Sequence, residues 1–455
     1  MSALPSYFLA DLPADAELTP AVIVEACQTL RRNRRRYLAE RPLPSVIRLL
    51  ADIAESWLRP DYPFRKQALK LGPAATGFPE ATLTAGLDQF FQQLNVQNLQ
   101  ALILQEFGHL QRTDSLVANE LEQRVERRSS VRGPELLVHI AGGMIPNGTM
   151  QSVVNGLLLR SAQFVKCASG TTLLPRLFAH SIYEADAKLG ACLEIAEWKG
   201  GNHALESALF SEAEAVTATG NDETLAKIRS ALPPSVAMAE YGHRVSFAFV
   251  AHEMLSGLKT QHVMQRAARD VAAWNQLGCL SPHVIYVEVG GKVSPEQFAE
   301  RLSAELEGLE KTEPRGALLP SEEAAAISSR RAFYEVRAAD SDETKMWCSA
   351  GSTAWTVVHE SDPRFQHSCL NRFIYVKSVA NLQQALEGAD AIRCHVSTVG
   401  IAAGDERLED LANQLARWGV PRICPLGQMQ NPPLSWRHDG WPALGQLVRW
   451  SDWEL

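Results

Sequence analysis

A chain of 455 residues is too long for one ordinary core, so two or three domains are expected. Hydrophobic residues make up 46% and charged residues 21%, the balance of a soluble globular protein. A net charge of −8 gives no general attraction to nucleic acid or an anionic membrane, and no apolar run approaches the roughly 18 residues that a membrane span needs.

The opening stretch, MSALPSYFLADLPADAEL, carries acidic residues and lacks a charged segment before an apolar block, which predicts no secretory signal. Residues 1–130 read as a mostly helical, polar segment packed on a cofactor domain, punctuated by proline at RPLPS and RPDYPF. The run RRNRRR, Arg31 to Arg36, is open to two readings: a solvated helix face, or a contact for phosphate or lipid. NVQNLQALILQEFG predicts a helix with Leu99, Leu102 and Phe107 on one face.

From residue 135 the texture changes. ELLVHIAGG reads as a strand ending in glycines, TMQSVVNGLLLRS as a helix, and AQFVKCAS as a strand with Lys166 near its end. LLPRLFAHSIYEADAKLG, LEIAEWKGG, HALESALFSE, AEAVTATG and NDETLAKIRSAL continue the alternation. Strands alternating with helices imply crossover connections and a parallel sheet covered on both faces. Ligands bind such sheets beyond the carboxyl ends of the strands, where these glycines fall. Lys166 either snorkels to the surface or carries its ammonium to a ribose or phosphate. In VTATGNDETLAKI the helix opens at Asn221 or Asp222, and its free N–H groups suit a phosphate. A simple capped helix explains the same residues, and Asp222 and Glu223 would repel a phosphate unless they point away.

AMAEYGHRVSF places Glu240 in apolar company before Gly242. Desolvation there would raise the carboxyl pKa and suit proton transfer, whereas pairing with Arg244 or capping the turn would make the residue structural. A second alternating stretch runs from RVSFAFV through PHVIYVEV to NRFIYVKSV, with a helical excursion at GALLPSEEAAAISSRRAFYEV. The expected division is 1–130 helical, 131–245 nucleotide-binding, 246–424 catalytic, and 425–455 a Trp- and Pro-rich tail. The tail suits docking or oligomer contact better than catalysis.

Within AAWNQLGCLSPHVIYVEV, Cys279 sits between a helix and a buried strand. The helix QHVMQRAARDVAAWNQ carries an apolar stripe of Val263, Ala267, Val271 and Trp274, and Gly278 suits its C′ position. A helix C-terminus disfavours a thiolate, so a nucleophile here needs a base, a cation or backbone donors. The alternative is a small buried apolar residue. Eight scattered cysteines without a C-x-x-C predict reduced thiols and a cytoplasmic setting. His359, His367 and Cys369, and the pair Cys394–His395, reproduce no paired-ligand spacing, so no metal is expected.

Taken in order, HIAGGMIP, FVKCAS, TATGNDET, AEYGHRVSF, NQLGCLSPHVIYVE, NRFIYVKSV and RICPLGQM resemble the aldehyde dehydrogenase superfamily. They are most similar to its LuxC-type branch, the long-chain fatty-acyl-CoA reductases, over roughly residues 135–450. The resemblance implies an aldehyde dehydrogenase-like α/β fold of two Rossmann-like, three-layer domains with a helical N-terminal segment. It implies that Cys279 attacks an acyl-CoA or acyl-carrier thioester, releases the thiol and holds the acyl group, which a nicotinamide coenzyme reduces to a fatty aldehyde. Glu240 aligns with the family's general base, Lys166 with its adenosine-ribose contact, and the Gly220-Asn221 turn with its pyrophosphate site. Ser169 stands where NAD-preferring relatives carry Glu, which points to NADPH. The family's turn asparagine is missing: Gly143 and Met144 occupy the position. Asn147 becomes the candidate oxyanion donor, a function worth about 2.7–4 kcal/mol, unless the Cys279 N–H serves with another group. A homo-oligomer, dimer or tetramer, is expected, and an acyl-transferring partner protein is a candidate donor.

Two other readings stay open. One is an enzyme oxidising an aldehyde to an acid; the other is a catalytically silent scaffold on the same fold. The enzymatic readings require the Cys279 sulfur to open to a cavity and to face Glu240.

Overall fold

A computed structural model describes residues 4–13, 15–316 and 319–454. Residues 1–3 of the opening stretch and residues 317–318 of the predicted excursion lie outside the described residues. The N-terminal segment is helical: Pro20–Asn33, Leu43–Leu58, Pro63–Thr76, Glu80–Gln93 and Val96–Phe107. Leu43–Leu58 buries Val46, Ile47, Leu50, Ile53, Ala54 and Trp57, an i, i+3, i+4 stripe that only a helix presents on one side. Val96–Phe107 starts where the Asn95 side chain accepts the Asn98 N–H and stops at Gly108, φ +70°. It buries Leu99, Leu102 and Phe107, as their spacing predicts.

The last four of these helices share one apolar core with the helices Pro146–Leu158 and Leu173–Ala185, whereas Pro20–Asn33 buries Ile23, Cys27 and Leu30 in a separate core with Leu136, Phe164 and Leu209. The arginine run divides between two uses. Arg31 pairs with Glu212, and buried Arg34 donates from Nε to the Arg160 carbonyl at 2.8 Å, so both tie the segment to the next layer. Arg35 and Arg36 face a surface depression shared with Arg41 and Lys188.

β1 is Arg127–Arg132. The first sheet contains β2 (Leu136–Ala141), β3 (Ala162–Cys167), β4 (Leu193–Glu197), β5 (Ala215–Thr219) and β6 (Ala237–Tyr241). All its neighbours are parallel, in the order β4-β3-β2-β5-β6, with helices in the crossovers. Ala141, Cys167, Glu197, Thr219 and Tyr241 therefore end on one edge.

Gly242 to Arg244 carry the chain into a second sheet. It contains β7 (Val245–Val250), β8 (Pro282–Glu288), β9 (Thr344–Cys348), β10 (Thr356–Glu360), β11 (Phe373–Val379), β12 (Val396–Ala402) and β13 (Arg422–Pro425). The order is β13-β12-β7-β8-β11-β10-β9, parallel except for β9. β8 lies at the centre and is buried throughout, so Cys279, three residues before it, sits at that sheet's amino edge. Because β6 leads into β7 almost directly, the carboxyl edge of the first sheet meets the amino edge of the second. β14 (Arg449–Glu454) returns to pair antiparallel with β1, Arg127 opposite Glu454. No helix among the described residues is long and apolar enough to cross a membrane.

Candidate functional site

The approach to Cys279 is not the plain helix end that the sequence suggests. The helix stops at Ala272, and Trp274, Asn275 and Gln276 follow with φ of +50°, +53° and +64°. Three successive non-glycine residues in this region cost about 1–3 kcal/mol each, so the surroundings must impose the conformation. Trp274 is buried against Phe78, with ring centroids 5.1 Å apart, and against Gly86. Gln276 donates to the carbonyls of Pro282 (2.8 Å) and Phe373 (2.9 Å). Asn275 donates to the Arg315 carbonyl at 3.0 Å and accepts from Arg372 at 3.3 Å. Arg372 itself closes a second left-handed turn, Leu370-Asn371-Arg372, before β11. The two turns brace each other below the nucleophile loop. Gly278 is needed for close approach rather than as a helix terminator: a Cβ there would lie 2.9 Å from the Gln430 amide and 3.1 Å from Ile145 Cδ1. Ile145 ends the glycine turn after β2, so that turn and the Cys279 loop touch.

Cys279 is exposed, in the loop that precedes β8 at the amino edge of the second sheet. Ser246 holds the loop by donating to the Cys279 carbonyl at 2.8 Å, and Ser246 Oγ accepts the Thr398 N–H at 3.1 Å. Burial pushes the thiol up to about 12, and the Asp439 carboxylate adds to this. The residue's own N–H, Arg244 and Arg422 act in the opposite direction.

Glu240 corrects an expectation. It is not in apolar company: it lies exposed on the sheet's edge strand and pairs with Arg229 of the helix Asp222–Ala231 at 3.0 Å. Side chains alternate along a strand, and Tyr241 takes the opposite face. The desolvation proposed for Glu240 is therefore missing, and it is not among the charges acting on Cys279. Asn147 lies at the start of the helix Pro146–Leu158. Its Nδ2 donates to the Gly86 carbonyl at 3.0 Å, which occupies one of the two amide N–H groups and ties the residue to the helical segment. The Cys279 N–H lies against its own sulfur.

The nucleotide-side residues fall along the first sheet's carboxyl edge. Lys166 is 5% exposed, with its ammonium 5.8 Å from the Trp198 ring; burial lowers its pKa, while Glu206, Cys167 and Glu197 oppose that shift. Ser169 is exposed one turn away. Glu197 accepts the Gly170 N–H at 3.1 Å and the Thr172 hydroxyl, and Glu206 accepts the Gly201 N–H at 2.9 Å. The Gly220 N–H is committed to the Tyr241 carbonyl at 3.2 Å, which removes it from the expected phosphate donors. Asn221 caps its helix through the Thr224 N–H at 2.8 Å. Asp222 turns back to the His243 N–H and Glu223 pairs with Lys227, so both carboxylates are engaged within the protein. This edge fits a dinucleotide: a buried ammonium, and at Gly142 a turn so close to the Thr219 carbonyl that no Cβ could enter.

The tail was expected to dock back or to serve an oligomer interface, and residues 430–446 pack back beside the Cys279 loop and Tyr241. Gln430 bonds Ser281, His438 stacks on Tyr241 with centroids 4.3 Å apart, and Gln446 donates to the Tyr241 hydroxyl at 3.0 Å. Asp439 accepts from Ser397 at 2.8 Å and lies 3.4 Å from Arg244. Only the adjacent Arg, His and Asp of SWRHDGW hinted at this. Elsewhere His252, Glu253 and Glu288 converge, and the Arg407 guanidinium fills their centre at 2.7 Å from each carboxylate.

A model of the LuxC acyl-CoA reductase family matches residues 38–450. The long-chain acyl-protein thioester reductase of Aliivibrio fischeri is 23% identical over 319 residues, 69% of this chain and 62% of that protein. The chain thus spans under two thirds of that relative's length. The protein so described in Photorhabdus luminescens is 23% identical over 430 residues, 90% of this chain and 82% of its own. Among solved structures, proline utilization A superposes with a TM-score of 0.71 at 16% identity, covering 96% of this chain and 45% of that one. An NAD-dependent benzaldehyde dehydrogenase from Corynebacterium glutamicum gives 0.70 at 13% identity, covering 96% and 91%. At such identities these structures establish the fold, that of the aldehyde dehydrogenases.

Proposed function

The chain belongs to the LuxC acyl-CoA reductase family, and from that premise we propose that it reduces a fatty acyl thioester to the aldehyde through an S-acyl intermediate on Cys279. The observation that carries the reading is an exposed cysteine at the amino edge of the second sheet, where the chain passes over from the first. The Cys279 sulfur bonds to the acyl carbon, the bond to the departing sulfur breaks, and the thiol proton leaves with coenzyme A or the carrier. A nicotinamide coenzyme, when bound, would supply the hydride; as the acyl carbon reaches the aldehyde level its bond to the Cys279 sulfur breaks and the thiolate takes a proton from water. The Cys279 N–H supports the developing oxyanion. The enzymatic readings required Cys279 to face Glu240; that contact is not made, because Glu240 is exposed and paired with Arg229, so the reading rests on Cys279 and the family without a carboxylate base. In this reading residues 131–245 bind the dinucleotide, 246–424 carry the nucleophile, 1–130 brace both, and 425–455 dock back beside the nucleophile loop.

Incubation with a long-chain acyl-CoA and no nucleotide tests the proposal. Free coenzyme A and a stable acyl adduct at Cys279 are expected, with aldehyde appearing once coenzyme is added. Acid instead of aldehyde would show hydrolytic deacylation, the closing step of an enzyme that oxidises aldehydes, and failure to release coenzyme A or to bind coenzyme near millimolar concentration would leave a scaffold.

The proposed coenzyme is NADPH, supported by exposed Ser169 and by the internal engagement of Glu197 and Glu206. Lys166 would meet the adenosine ribose. Ser169→Glu is expected to weaken NADPH about tenfold relative to NADH, equivalent to about 1.4 kcal/mol, and Glu197→Gln to shift the ratio the other way. Fluorescence titration of both coenzymes checks this, and an unchanged ratio in both variants removes the argument for the phosphorylated form.

Self-association is proposed from the β1–β14 ribbon, where every residue of β14 is exposed and Trp450 and Trp453 are 46% and 47% exposed. An isolated ribbon of this kind is stabilised by a partner surface. Sedimentation should give a dimer or tetramer; a monomer at micromolar concentration contradicts it.

A further inference from the structure

The tail segment beside the Cys279 loop brings an unusual charge. Asp439 adopts φ +52° and has a nearly fully buried side chain, 4% exposed. One oxygen accepts from Ser397 at 2.8 Å; the other, Oδ2, has no hydrogen-bond partner and lies 3.4 Å from Arg244 Nε. A buried carboxylate oxygen without a donor is costly, and a left-handed non-glycine residue adds to the cost. Both are sustained by the segment's other anchors: His438 on Tyr241, Gln446 on the Tyr241 hydroxyl, and the Glu106 carboxylate accepting the N–H groups of Leu444 (3.1 Å) and Gly445 (2.9 Å).

Arg244 and Ser246 start β7, and Ser397 and Thr398 start β12. Ser246 holds the Cys279 carbonyl, Thr398 holds Ser246, and Ser397 holds Asp439. One short chain of contacts thus links the nucleophile loop to the carboxylate and its arginine. The other cation at this place, Arg422 of β13, gives its N–H groups to the carbonyls of Met429 (2.6 Å) and Gln428 (2.8 Å) and has Asp270 close by. Its charge is already balanced. Arg244 is the adjustable one, because its partner arrives on the tail segment beside the Cys279 loop. Neighbouring His438 is half-buried; burial lowers its pKa, and Asp439 opposes that shift.

We infer that Arg244 and Asp439 form a charge clasp that tunes the Cys279 nucleophile: Arg244 favours its thiolate, and Asp439, delivered by the tail, restrains that effect. Both are positioning residues, acting on the sulfur through charge. The thiol's response to the surrounding charges has the matching signs, raised by Asp439 and lowered by Arg244. Anything that lifts the tail segment from Arg244, substrate entry included, would leave the cation facing Cys279 alone and activate the thiol. This rests on Cys279 being the reacting sulfur, but its test needs no thioester.

The full-length protein is alkylated with iodoacetamide at pH 8, and modification of Cys279 is followed by peptide mass spectrometry against exposed Cys394 as internal reference. Asp439→Asn is expected to speed Cys279 alkylation about tenfold and Arg244→Gln to slow it about tenfold, one unit of thiol pKa in each direction. The double variant should return near the wild-type rate. A merely structural tail contact predicts something different: both single variants loosen the cover and both speed alkylation. That result, or no change in either, overturns the inference. Should a neutralised variant fail to fold, Asp439→Glu and Arg244→Lys keep the charges and must stay within about twofold of wild type; a tenfold change in either would equally overturn it. Failure of acyl-CoA turnover with the alkylation pattern intact would discard the reductase reading and leave the clasp standing.

Discussion

Cys279→Ala is expected to abolish covalent acylation and to lower reductase turnover by about 10⁴-fold or more, the scale seen when a nucleophile is removed while binding groups remain. The variant should fold normally. Cys279 is exposed, and its one described anchor, the bond from Ser246, ends on the backbone carbonyl that alanine keeps. Stability should therefore change by no more than about 0.5 kcal/mol. Intact-mass spectrometry after exposure to acyl-CoA, with coenzyme titration on the same sample, separates lost chemistry from lost structure. An adduct forming on the variant at the wild-type rate would move the nucleophile elsewhere. Cys394 is the other exposed cysteine among the described residues and the first place to look.

Gly86→Ala sets two effects against each other. Gly86 lies inside the helix Glu80–Gln93, where alanine is favoured by about 0.8–1 kcal/mol on propensity alone. A Cβ at this position would fall within the indole ring of Trp274. That ring cannot retreat easily, because Trp274 belongs to the left-handed turn and is packed edge-on to Phe78. Overpacking of a core costs about 1–3 kcal/mol, and here no flexible end is available to absorb it. The clash should win, giving a net loss of about 1–2 kcal/mol, read as a lower denaturation midpoint with unchanged m-value. Acylation of Cys279 should fall as well, since Trp274 and Gln276 set the loop that carries it. A stabilised variant would show that the turn yields, and that the N-terminal segment does not brace the nucleophile. The Gly86 carbonyl also accepts the Asn147 amide, so the same variant probes the glycine turn after β2.

Much of this molecule is written locally. The i, i+3, i+4 stripes of the N-terminal helices, the Asn95 and Gly108 boundaries, and the alternation of short apolar runs with helices were legible because each signal lies within one element. Cys279 between helix and strand, Lys166 near the end of β3 and Asn221 at a helix start belong to the same class, since a chain position relative to an element is enough to place them. Glu240 shows where local reading ends. Strand alternation gives it one of two faces, but which face looks toward Cys279 depends on β6 being the sheet's edge and on a helix that presents Arg229. Asn147 likewise meets Gly86, a residue 61 positions away.

The left-handed turns were also out of reach. Trp274-Asn275-Gln276 continues a helical pattern in sequence, and only contacts with Arg372 and Phe373, 97 residues further on, hold it in a conformation its own residues disfavour. The tail presents the same case at larger scale. Composition marked it as a docking segment, but its destination depends on Ser281, Arg244, Ser397 and Glu106, none of them nearby in the chain. What the sequence determined by itself was the order and type of the elements and the residues capable of chemistry, because hydrophobic periodicity and capping act over a few positions. Which of those residues meet was decided by tertiary packing, because hydrogen bonds and charges at the site join positions tens to hundreds of residues apart, with no trace in local pattern.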